Sequence, residues 1–386
     1  MDNNATTMVD PAVKEAMEPF FCEMYGNPNS LHSFGSEVHP FMRQALDRLY
    51  AGINASDDDD IIITSCACES NNTVIKSAYL DGLASGKNHF ITSQTEHPSV
   101  AEAFNFLEKM GANVTRLPVD ANGLISPDEL KAAINGDSTA LVSLIWANNE
   151  TGIINPVEQY AEICLENNVP LHLDAVQAVG KIPVDMAKVG ASFITFSAHK
   201  FHGPKGVGGL YMRKGQKLTP LIHGGEQMAG LRAGTINMAF IAGMGIAMEL
   251  AVKNLDYEAT QVRMLRDRLE EAILSIEDTF VIGRNSPRTP NTILASFKGV
   301  EGEAMLWDLN KMGVAASTGS ACSSESLQAN PTFVAMDISE ELSHTGIRFS
   351  LSRFTTDRDI DIAIHAINAA VQRLRSISYT KEKEYV

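Results

Sequence analysis

The sequence predicts an α/β protein with a large domain built on a doubly wound, mainly parallel sheet and a smaller α+β domain. Through the first two-thirds of the chain, short apolar runs alternate with segments of helical periodicity, as in folds with helices on both faces of a sheet. Several of these runs are almost continuously apolar, which is typical of parallel strands buried on both faces. The alternation stops after about Asp256. We therefore assign residues 10–256 to the large domain and residues 1–9 with 257–386 to the small one.

The individual elements follow from the apolar runs and from the signals at helix starts. In the large domain these runs predict strands at 61–64, 89–93, 114–118, 140–146, 170–173, 193–196 and 207–212. Helices are predicted at 71–84, 98–110, 127–134 and 156–167, several of them opened by Pro or by a Ser or Asp cap. In the small domain, helices near 257–275 and 357–376 flank strands near 280–282, 292–297 and 348–351. Ligands of such a sheet bind where its strands end and its helices begin.

Composition narrows the class of protein. A formal net charge of −16 argues against nucleic acid or an anionic membrane as the main partner. The five cysteines, at 22, 66, 68, 164 and 322, lack the spacing of a disulfide framework, and the first ten residues are polar and acidic, unlike a secretory leader. We therefore expect a cytoplasmic protein. Its most apolar long run, 239–252, is too short for a membrane span and contains Glu249.

One cysteine lies in a segment without apolar neighbours. Cys322 belongs to STGSACSSES at 317–326, where the density of Ser, Thr and Gly is typical of a loop. A cysteine is most often a small buried hydrophobe, but this composition favours an exposed, reactive thiol. Cys66 and Cys68 invite a metal site, yet no second Cys or His pair lies at ligand spacing, so the sequence predicts no resident metal.

Three predicted strand ends carry residues that suit a carbonyl cofactor with a phosphate group. Lys200 follows a buried strand and suits a Schiff base, although a lysine at such a position is more often a solvated loop residue. Asp174 ends another strand and is placed to keep a pyridinium nitrogen protonated; its alternative role is a helix cap. The turn from Thr64 to Ser70 leads from a strand into a helix, whose first N–H groups can bind phosphate. Together the three features predict a pyridoxal phosphate site.

A series of short motifs runs along the whole chain: DNNATT at 2–7, NPNSLH at 27–32, TSxAxES at 64–70, EHPSV at 96–100, NNETG at 148–152, DAVQ at 174–177, SAHKFHGPKG at 197–206, RAGT at 232–235, STGSAC at 317–322 and IRFSLSRF at 347–354. These motifs are similar to those of class V pyridoxal-phosphate enzymes, and among these they resemble the cysteine desulfurases of nitrogen fixation and iron–sulfur-cluster assembly. The resemblance covers residues 2 to about 354. It implies the type I pyridoxal-phosphate aminotransferase fold.

The resemblance implies a role for each matching residue around the cofactor. Lys200 would carry the cofactor and act catalytically, with Asp174 as the partner of the pyridinium nitrogen and Gln177 as the donor to the ring phenolate oxygen. His97 would stack on the ring and shuttle protons. Asn149 would contact both the cofactor and the substrate.

The resemblance also implies a phosphate site, a substrate site and a homodimer. Thr235 of the partner subunit would complete the phosphate cup. The other members of the cup would be Ala67, Cys68, Ser197 and His199. Arg348 would bind the substrate carboxylate; the alternative of a surface arginine fits poorly within the apolar pattern IRFSL.

The activity implied by the resemblance is removal of sulfur from L-cysteine, giving L-alanine and a persulfide on Cys322. The sulfur would pass to an iron–sulfur scaffold protein. A transient iron–sulfur cluster bound by Cys322 is the one metal-bound state that the sequence leaves open. STGSAC with a Ser-rich continuation is similar to the long-loop group of the family. The alternatives are a selenocysteine lyase, a class V aminotransferase, which has no use for a nucleophilic thiol, and a non-catalytic sulfur-relay or scaffold protein, which would not need Lys200, His97 or Arg348.

Two positions depart from the pattern of the family. Cys68 stands where the phosphate cup usually has Thr, and Ala233 stands where RAGT usually has Ser. A thiol is a weaker hydrogen-bond donor than a hydroxyl. We therefore predict looser cofactor binding, which Cys68→Thr would reverse.

Overall fold

The computed structural model of the chain describes residues 1–318 and 330–377, and its strands form two sheets. The strands are β1 (Asp60–Thr64), β2 (His89–Ser93), β3 (Asn113–Leu117), β4 (Thr139–Ile145), β5 (Leu171–Asp174), β6 (Phe193–Ser197), β7 (Gly208–Met212), β8 (Thr279–Val281), β9 (Thr292–Phe297), β10 (Ser317–Thr318) and β11 (Gly346–Ser350). Each strand predicted from an apolar run is observed. The two-residue strand β10 was not predicted, because it is too short to have a periodicity.

The helices are α1 (Pro11–Met17), α2 (Pro19–Cys22), α3 (Ser33–Ser36), α4 (His39–Gly52), α5 (Ala67–Ser85), α6 (Pro98–Lys109), α7 (Pro127–Ala133), α8 (Val157–Glu166), α9 (Met186–Val189), α10 (Met238–Lys253), α11 (Leu255–Tyr257), α12 (Arg263–Leu274), α13 (Gly302–Lys311), α14 (Pro331–Ala335), α15 (Glu340–Ser343) and α16 (Asp357–Ile377). A 3₁₀ turn at Ala198–Lys200 follows β6, and a π turn at Glu258–Val262 joins α11 to α12. Within the described ranges, no helix taken singly has the length and apolar character needed to cross a bilayer; only the bent pair formed by α10 and the helical stretch after it is long and apolar enough.

The seven-stranded sheet has the order β1-β7-β6-β5-β4-β2-β3. The pairs from β6 to β3 are parallel, whereas β7 is antiparallel to both of its neighbours. This exception has a physical cause, because only residues 198–207 separate β6 from β7, and a parallel return needs a crossover of about a dozen residues or more. The prediction of a mainly parallel sheet is confirmed.

Helices cover both faces of this sheet. One apolar cluster joins the strands to α5 and α6, and another joins them to α4, α8 and α10. As a result every residue of β2, β4, β5, β6 and β7 is buried. Burying one large apolar side chain contributes about 1.5–3 kcal/mol, so these two clusters fix the strand ends rigidly.

The four-stranded antiparallel sheet has the order β10-β11-β9-β8 and packs against α12, α13 and α16. The single helix predicted at 257–275 is divided by the π turn, which buries both Glu258 and Val262. A π turn inserts an extra residue into a helix, a local change that no apolar period reveals. The division of the chain into domains 10–256 and 1–9 with 257–386 stays a prediction.

The first residues of the chain connect the two sheets. Asn4 N donates to Ser350 Oγ at the end of β11 (2.9 Å), and Thr7 N donates to His199 O in the turn after β6 (3.0 Å). The segment therefore brings the carboxyl end of β6 next to the small sheet.

Candidate active site

Lys200 lies in the 3₁₀ turn that follows β6, at the carboxyl end of the seven-stranded sheet. Its Nζ donates to the carbonyl oxygens of Asn4 (2.5 Å) and Ala5 (2.9 Å). Burial lowers the pKa of this amine to about 8, and the charge of Arg348 adds to the effect, whereas the carboxylate of Asp174 opposes it. A sizeable fraction of the amine is therefore neutral near physiological pH.

Asp174 ends β5 and is buried. Its Oδ2 accepts a hydrogen bond from Asn71 Nδ2 (2.9 Å) and its Oδ1 accepts from Val176 N (3.1 Å). Asn71 is itself fixed by Thr195 Oγ1, which donates to its Oδ1 (2.5 Å). No Lys or Arg pairs with Asp174 in the part of the chain that the structure describes. The alternative role of Asp174 as a helix cap accounts only for its hydrogen bond from Val176 N. Because both donors to the carboxylate are neutral, it remains available to a cationic ligand.

His97 caps α6. Its Nδ1 accepts from Ser99 N (3.1 Å) and lies 2.8 Å from Ser99 Oγ, which in turn accepts from Asn71 Nδ2 (2.8 Å). Burial lowers the pKa of the imidazole despite the nearby Asp174, so the ring is neutral at physiological pH. With Nδ1 as the acceptor, the proton of the neutral ring lies on Nε2.

Gln177 lies on a short turn after β5 and contacts the N-terminal segment. Its Nε2 donates to Asn4 O (3.1 Å), and its Oε1 accepts from Lys181 Nζ. Lys181 is buried, and its Nζ also donates to Asn4 Oδ1 (2.7 Å). Burial, together with the charge of Lys200, lowers the pKa of Lys181 well below its ordinary value. The orientation of the Gln177 amide is thus set by a lysine that the sequence analysis did not select.

The predicted phosphate cup lies where β1, β6 and β7 meet the first turn of α5. Helix α5 begins at Ala67, four residues earlier than predicted, so the N–H groups of Ala67 and Cys68 have no partner within the helix. Ser197 ends β6, and its buried Oγ has no hydrogen-bond partner among the described residues. A Cβ on Gly208, opposite Ser197, would come within 2.8 Å of the Cys66 carbonyl carbon. Glycine therefore permits the close approach of the two backbones at the cup.

His199 lies beside Lys200 in the 3₁₀ turn. Its Nδ1 lies 3.2 Å from Thr6 Oγ1. Burial lowers the pKa of the His199 imidazole to about 4, and the neighbouring lysines add to this effect. The imidazole is therefore neutral, and it can serve the cup as a hydrogen-bond donor.

These residues fit pyridoxal phosphate. An unpartnered hydroxyl and free N–H groups at the N-terminus of a long helix suit the phosphate. A buried carboxylate without a cationic partner suits the ring nitrogen, and a lysine with a lowered pKa suits the aldehyde. The predicted residues Lys200, Asp174 and His97 are brought together, since the pKa of His97 responds to both of the other charges.

Thr235 lies on the outer side of the cup. With Ser65 and Arg232 it lines a cavity of about 220 Å³. Arg232 Nε forms an ion pair with Glu69 Oε1 in the first turn of α5 (2.9 Å), which fixes the RAGT segment against the cup helix. The role of Thr235 as a phosphate ligand supplied by a partner subunit stays a prediction.

Arg348 lies in the middle of β11 and is 5% exposed, so it is not a surface arginine. Its guanidinium donates to Asn149 O (3.1 Å) and to Asp2 Oδ1 (2.9 Å), while the buried Nε has no partner within the described ranges. The ion pair with Asp2 demonstrates that a carboxylate fits against this guanidinium. Asn149 contacts Arg348 through its backbone oxygen, and its predicted side-chain contacts stay a prediction.

Cys322 lies outside the described residues, but both flanks of its segment are anchored at this site. Ser317 is paired with Arg348 across β10 and β11, and its Oγ donates to Asp2 Oδ2 (2.9 Å). On the far side, Asn330 Nδ2 donates to Glu150 Oε2 (2.8 Å), next to Asn149 in the chain. The described residues on the two sides of 319–329 are therefore held at Arg348 and at Glu150, whose neighbour Asn149 contacts Arg348.

Sequence reasoning missed four residues that hold the site together: Asn4, Asn71, Lys181 and Glu96. Glu96 precedes His97 in the chain and is half-buried, and its Oε1 accepts from Ser93 Oγ (2.5 Å) and Ile145 N (3.0 Å). Burial raises the pKa of the Glu96 carboxyl to about 8, so it is mostly protonated at neutral pH. Two of these residues had a signal in the sequence, since Asn71 directly follows the motif TSxAxES and Lys181 comes four residues after the last residue of DAVQ.

Comparison with known proteins places the chain in a family. The family model described as aminotransferase class-V matches residues 1–362. The cysteine desulfurase IscS of Dictyoglomus turgidum is 44% identical over 384 residues, covering 99% of this chain and 97% of the relative. The cysteine desulfurase NifS of Azotobacter vinelandii is 44% identical over 379 residues, covering 98% of this chain and 94% of the relative.

Solved structures give the same result. A NifS-like protein superposes with a TM-score of 0.89 at 36% identity, covering 97% of this chain and 99% of that chain. The protein SspA, solved in complex with cysteine, superposes with a TM-score of 0.81 at 30% identity, covering 92% of this chain and 99% of that chain.

The fold and the lysine–carboxylate–cup arrangement define a pyridoxal-phosphate enzyme of the type I aminotransferase fold, as the sequence predicted. The chain belongs to the class-V aminotransferase family and, within it, to the cysteine desulfurases of the IscS/NifS group.

Proposed function

We propose that this enzyme removes sulfur from L-cysteine, giving L-alanine and a persulfide on Cys322. The observation that carries the proposal is the convergence of Arg348 and both flanks of the Cys322 segment on the pocket around Lys200. A carboxylate-binding guanidinium, a cofactor lysine and a tethered thiol are the three groups that desulfuration of an amino acid requires.

The residues that would hold the cofactor have distinct tasks. When bound, pyridoxal phosphate supplies an electron sink for the substrate carbon. Asp174 would keep the ring nitrogen protonated, and Asn71 would orient the Asp174 carboxylate. Gln177 would donate its amide to the phenolate oxygen. The cup of Ala67, Cys68, Ser197 and His199 would bind the phosphate, with Thr235 of a partner subunit.

Arg348 and Asn149 would position the substrate. The substrate carboxylate would bind the Arg348 guanidinium, where Asp2 binds in this structure, and the buried Nε offers one further donor. Such bidentate contacts are the strongest that a carboxylate makes with a side chain. Because the amine of Lys200 is partly neutral near physiological pH, it can take a proton from the substrate α-carbon once it is released.

His97 would handle a second proton. Ser99 occupies Nδ1, so the proton of the neutral ring stands on Nε2, the nitrogen that remains to face the cofactor. Stacking on the ring is compatible with its cap position at the start of α6. We assign to His97 the protonation of the carbon product after sulfur has left.

Cys322 would act as the nucleophile toward the substrate sulfur. It follows Thr318 by four residues, a length that extended chain spans in about 14 Å. Thr318 pairs with Ile347, the neighbour of Arg348. A thiol on such a tether can reach a substrate bound at Arg348 and can then present its persulfide to an acceptor, which we propose to be an iron–sulfur scaffold protein.

We further propose a homodimer. The N-terminal helices expose large apolar side chains that a monomer has no reason to present to water. These are Phe21 (57% exposed), Tyr25 (66%), Leu31 (106%) and Phe34 (53%). Light scattering on the purified chain should give twice the monomer mass, and Leu31→Asp should lower it toward the monomer value.

Sulfide release tests the activity. The native enzyme, loaded with cofactor and given L-cysteine with a thiol reductant, should release sulfide and form L-alanine. Cys322→Ala should release no sulfide although it binds the cofactor normally. Cys22→Ala, which removes an exposed cysteine at the end of α2, is the matched control and should behave like the native enzyme. If Cys322→Ala retained full activity, Cys322 would not be the nucleophile.

A further inference from the structure

We propose that Cys66 and Cys68 form a redox-active dithiol in the phosphate cup, and that its oxidation to a disulfide by persulfides or polysulfides prevents the cofactor from binding. The inference rests on the proposed function for its oxidant, because a desulfurase generates persulfide sulfur. The two thiols themselves are a feature of this chain, since the cup usually has Thr at the second position.

Both thiols lie on a backbone that is held in place. Cys66 is extended (φ −174°, ψ 167°) and directly precedes the first residue of the 19-residue helix α5. Its carbonyl oxygen accepts from Ser70 N (3.2 Å) and from Thr64 Oγ1 (3.2 Å). The Cys68 carbonyl oxygen accepts from Asn72 Nδ2 (2.9 Å). The two cysteines are therefore fixed at the start of the helix, with one residue between them.

The two side chains belong to the same turn and reach solvent. One residue separates Cys66 from Cys68, and Ser65 Oγ donates to the Cys66 sulfur from 3.7 Å. Cys68 is exposed and Cys66 is half-buried, so reagents in solution can reach the pair. In contrast, Cys164 is buried and its thiol has no such neighbour among the described residues.

Their environments give the two thiols different roles. The neighbouring Cys68 thiol is the main cause that lowers the pKa of the Cys66 thiol to about 5, whereas Cys66 and burial raise that of Cys68. At neutral pH Cys66 is therefore a thiolate, stabilised further by the N-terminus of α5. Cys68 keeps its proton and serves as the resolving thiol.

The chemistry balances with a persulfide RSSH as the oxidant. The Cys66 thiolate attacks the outer sulfur of RSSH, the S–S bond breaks, and the electron pair leaves as RS⁻. Cys68 then loses its proton and attacks the inner sulfur of the new Cys66 persulfide, expelling HS⁻. In sum, RSSH and two protein thiols give RSH, H₂S and the Cys66–Cys68 disulfide. One sulfur atom is reduced to sulfide and the two thiols are oxidised.

The disulfide would change the part of the chain that binds phosphate. It ties the side chain of Cys68, in the first turn of α5, back to Cys66, and the N–H groups of that turn are the predicted phosphate donors. Conversely, a phosphate held by these N–H groups, which follow Cys66 in the chain, would repel anionic polysulfide. Cofactor binding and the disulfide should therefore exclude each other. The disulfide would form in enzyme that has lost its cofactor, at times when acceptors for sulfur are scarce.

The test uses the full-length chain with and without cofactor, treated with inorganic polysulfide. Peptide mass analysis of the cofactor-free chain should reveal a Cys66–Cys68 cross-link, a loss of two hydrogens, that the loaded enzyme does not form. Absorbance titration should then give cofactor binding at least about tenfold weaker. Dithiothreitol should restore it. Cys66→Ser and Cys68→Thr should both bind cofactor equally well before and after treatment, whereas Cys22→Ser should lose binding like the native chain.

Two results would overturn the proposal. One is the absence of the cross-linked peptide from the treated, cofactor-free chain. The other is an equal loss of cofactor binding in Cys66→Ser, which would place the sensitivity elsewhere. Neither readout requires turnover of L-cysteine. A failure of sulfide release would therefore refute the proposed activity but not the proposed dithiol, and absence of the cross-link would refute the dithiol but not the activity.

Discussion

Lys181 Nζ lies 2.7 Å from Asn4 Oδ1, deep between the two sheets, and the same nitrogen donates to Gln177 Oε1. Asn4 contacts both sides of the site, because its backbone oxygen accepts from Lys200 and Gln177 and its side chain bonds Thr292 and Asn291 of the small sheet. Burial and the charge of Lys200 lower the pKa of Lys181 well below its ordinary value, and its Nζ donates to both Gln177 and Asn4. A buried lysine thus connects Gln177 to the N-terminal segment.

Lys181→Met should weaken cofactor binding and destabilise the chain. The buried Gln177 Oε1 would lose its donor, at a cost of about 1–3 kcal/mol, whereas Asn4 Oδ1 would keep its hydrogen bond from Asn291 Nδ2. Cofactor titration and urea unfolding measure the two effects. Lys188→Met, at an exposed lysine, is the control and should change neither. Cofactor affinity equal to that of the native chain would rule out Lys181 as the residue that orients Gln177.

The pH dependence of cofactor uptake should report the amine of Lys200. Its pKa is lowered to about 8, so the nucleophilic neutral form increases as the pH rises through 8. The rate of cofactor addition to the cofactor-free chain should therefore rise and level off above that pH. Because Arg348 contributes to the lowering, Arg348→Gln should move the midpoint to higher pH. A midpoint near the ordinary lysine value in the native chain would contradict the assignment.

Asn71→Leu should weaken cofactor binding more than any surface asparagine does. The substitution removes the donor to Asp174 Oδ2, which is then buried without a partner at a cost of about 1–3 kcal/mol. It also removes the donor to Ser99 Oγ, so His97 loses part of its support. Cofactor titration is the measurement, with Asn105→Ala on α6 as the control. Unchanged affinity in Asn71→Leu would indicate that Asp174 does not need this support.

The sequence predicted most of the strands and the site residues that lie within motifs. It did not reveal the residues that support them, for physical reasons. A strand such as β4, with the sequence TALVSLI, consists mostly of apolar residues, so the sequence alone reveals its position. Asn71 and Asp174 are 103 residues apart, and no local pattern reveals that one will orient the other. Lys181 is polar and follows a glycine, which is typical of a surface turn, yet it is buried because the N-terminal segment covers it.

Cys68→Thr should bind the cofactor more tightly than the native chain. A hydroxyl is a better donor to phosphate than a thiol, and a hydrogen bond to a charged group contributes about 1.5–3 kcal/mol. Titration of both cofactor-free proteins decides the matter. Equal affinities would place phosphate recognition in the backbone N–H groups alone.

Glu96→Gln should stabilise the enzyme at neutral pH. Glu96 is half-buried with its Oε2 shielded from solvent, and this burial raises the pKa of the carboxyl from 4.5 to about 8. Between these two values the folded chain binds the proton and the unfolded chain does not, so Glu96 makes stability fall as the pH rises from 4.5 to 8. Glutamine has the shape of the protonated acid and does not titrate. The variant should therefore lack this decline, and its advantage should grow through the window and be largest at its upper end.

Urea unfolding at several pH values across that window measures the effect. Each unit of pKa shift corresponds to about 1.4 kcal/mol, so an advantage of a few kcal/mol for Glu96→Gln is expected near pH 8. Glu102→Gln, on the exposed side of α6, is the control and should follow the native chain. Parallel stability curves for the native chain and Glu96→Gln would mean that Glu96 is ionised in the folded enzyme, and the site would then contain two buried carboxylates, Glu96 and Asp174, in place of one.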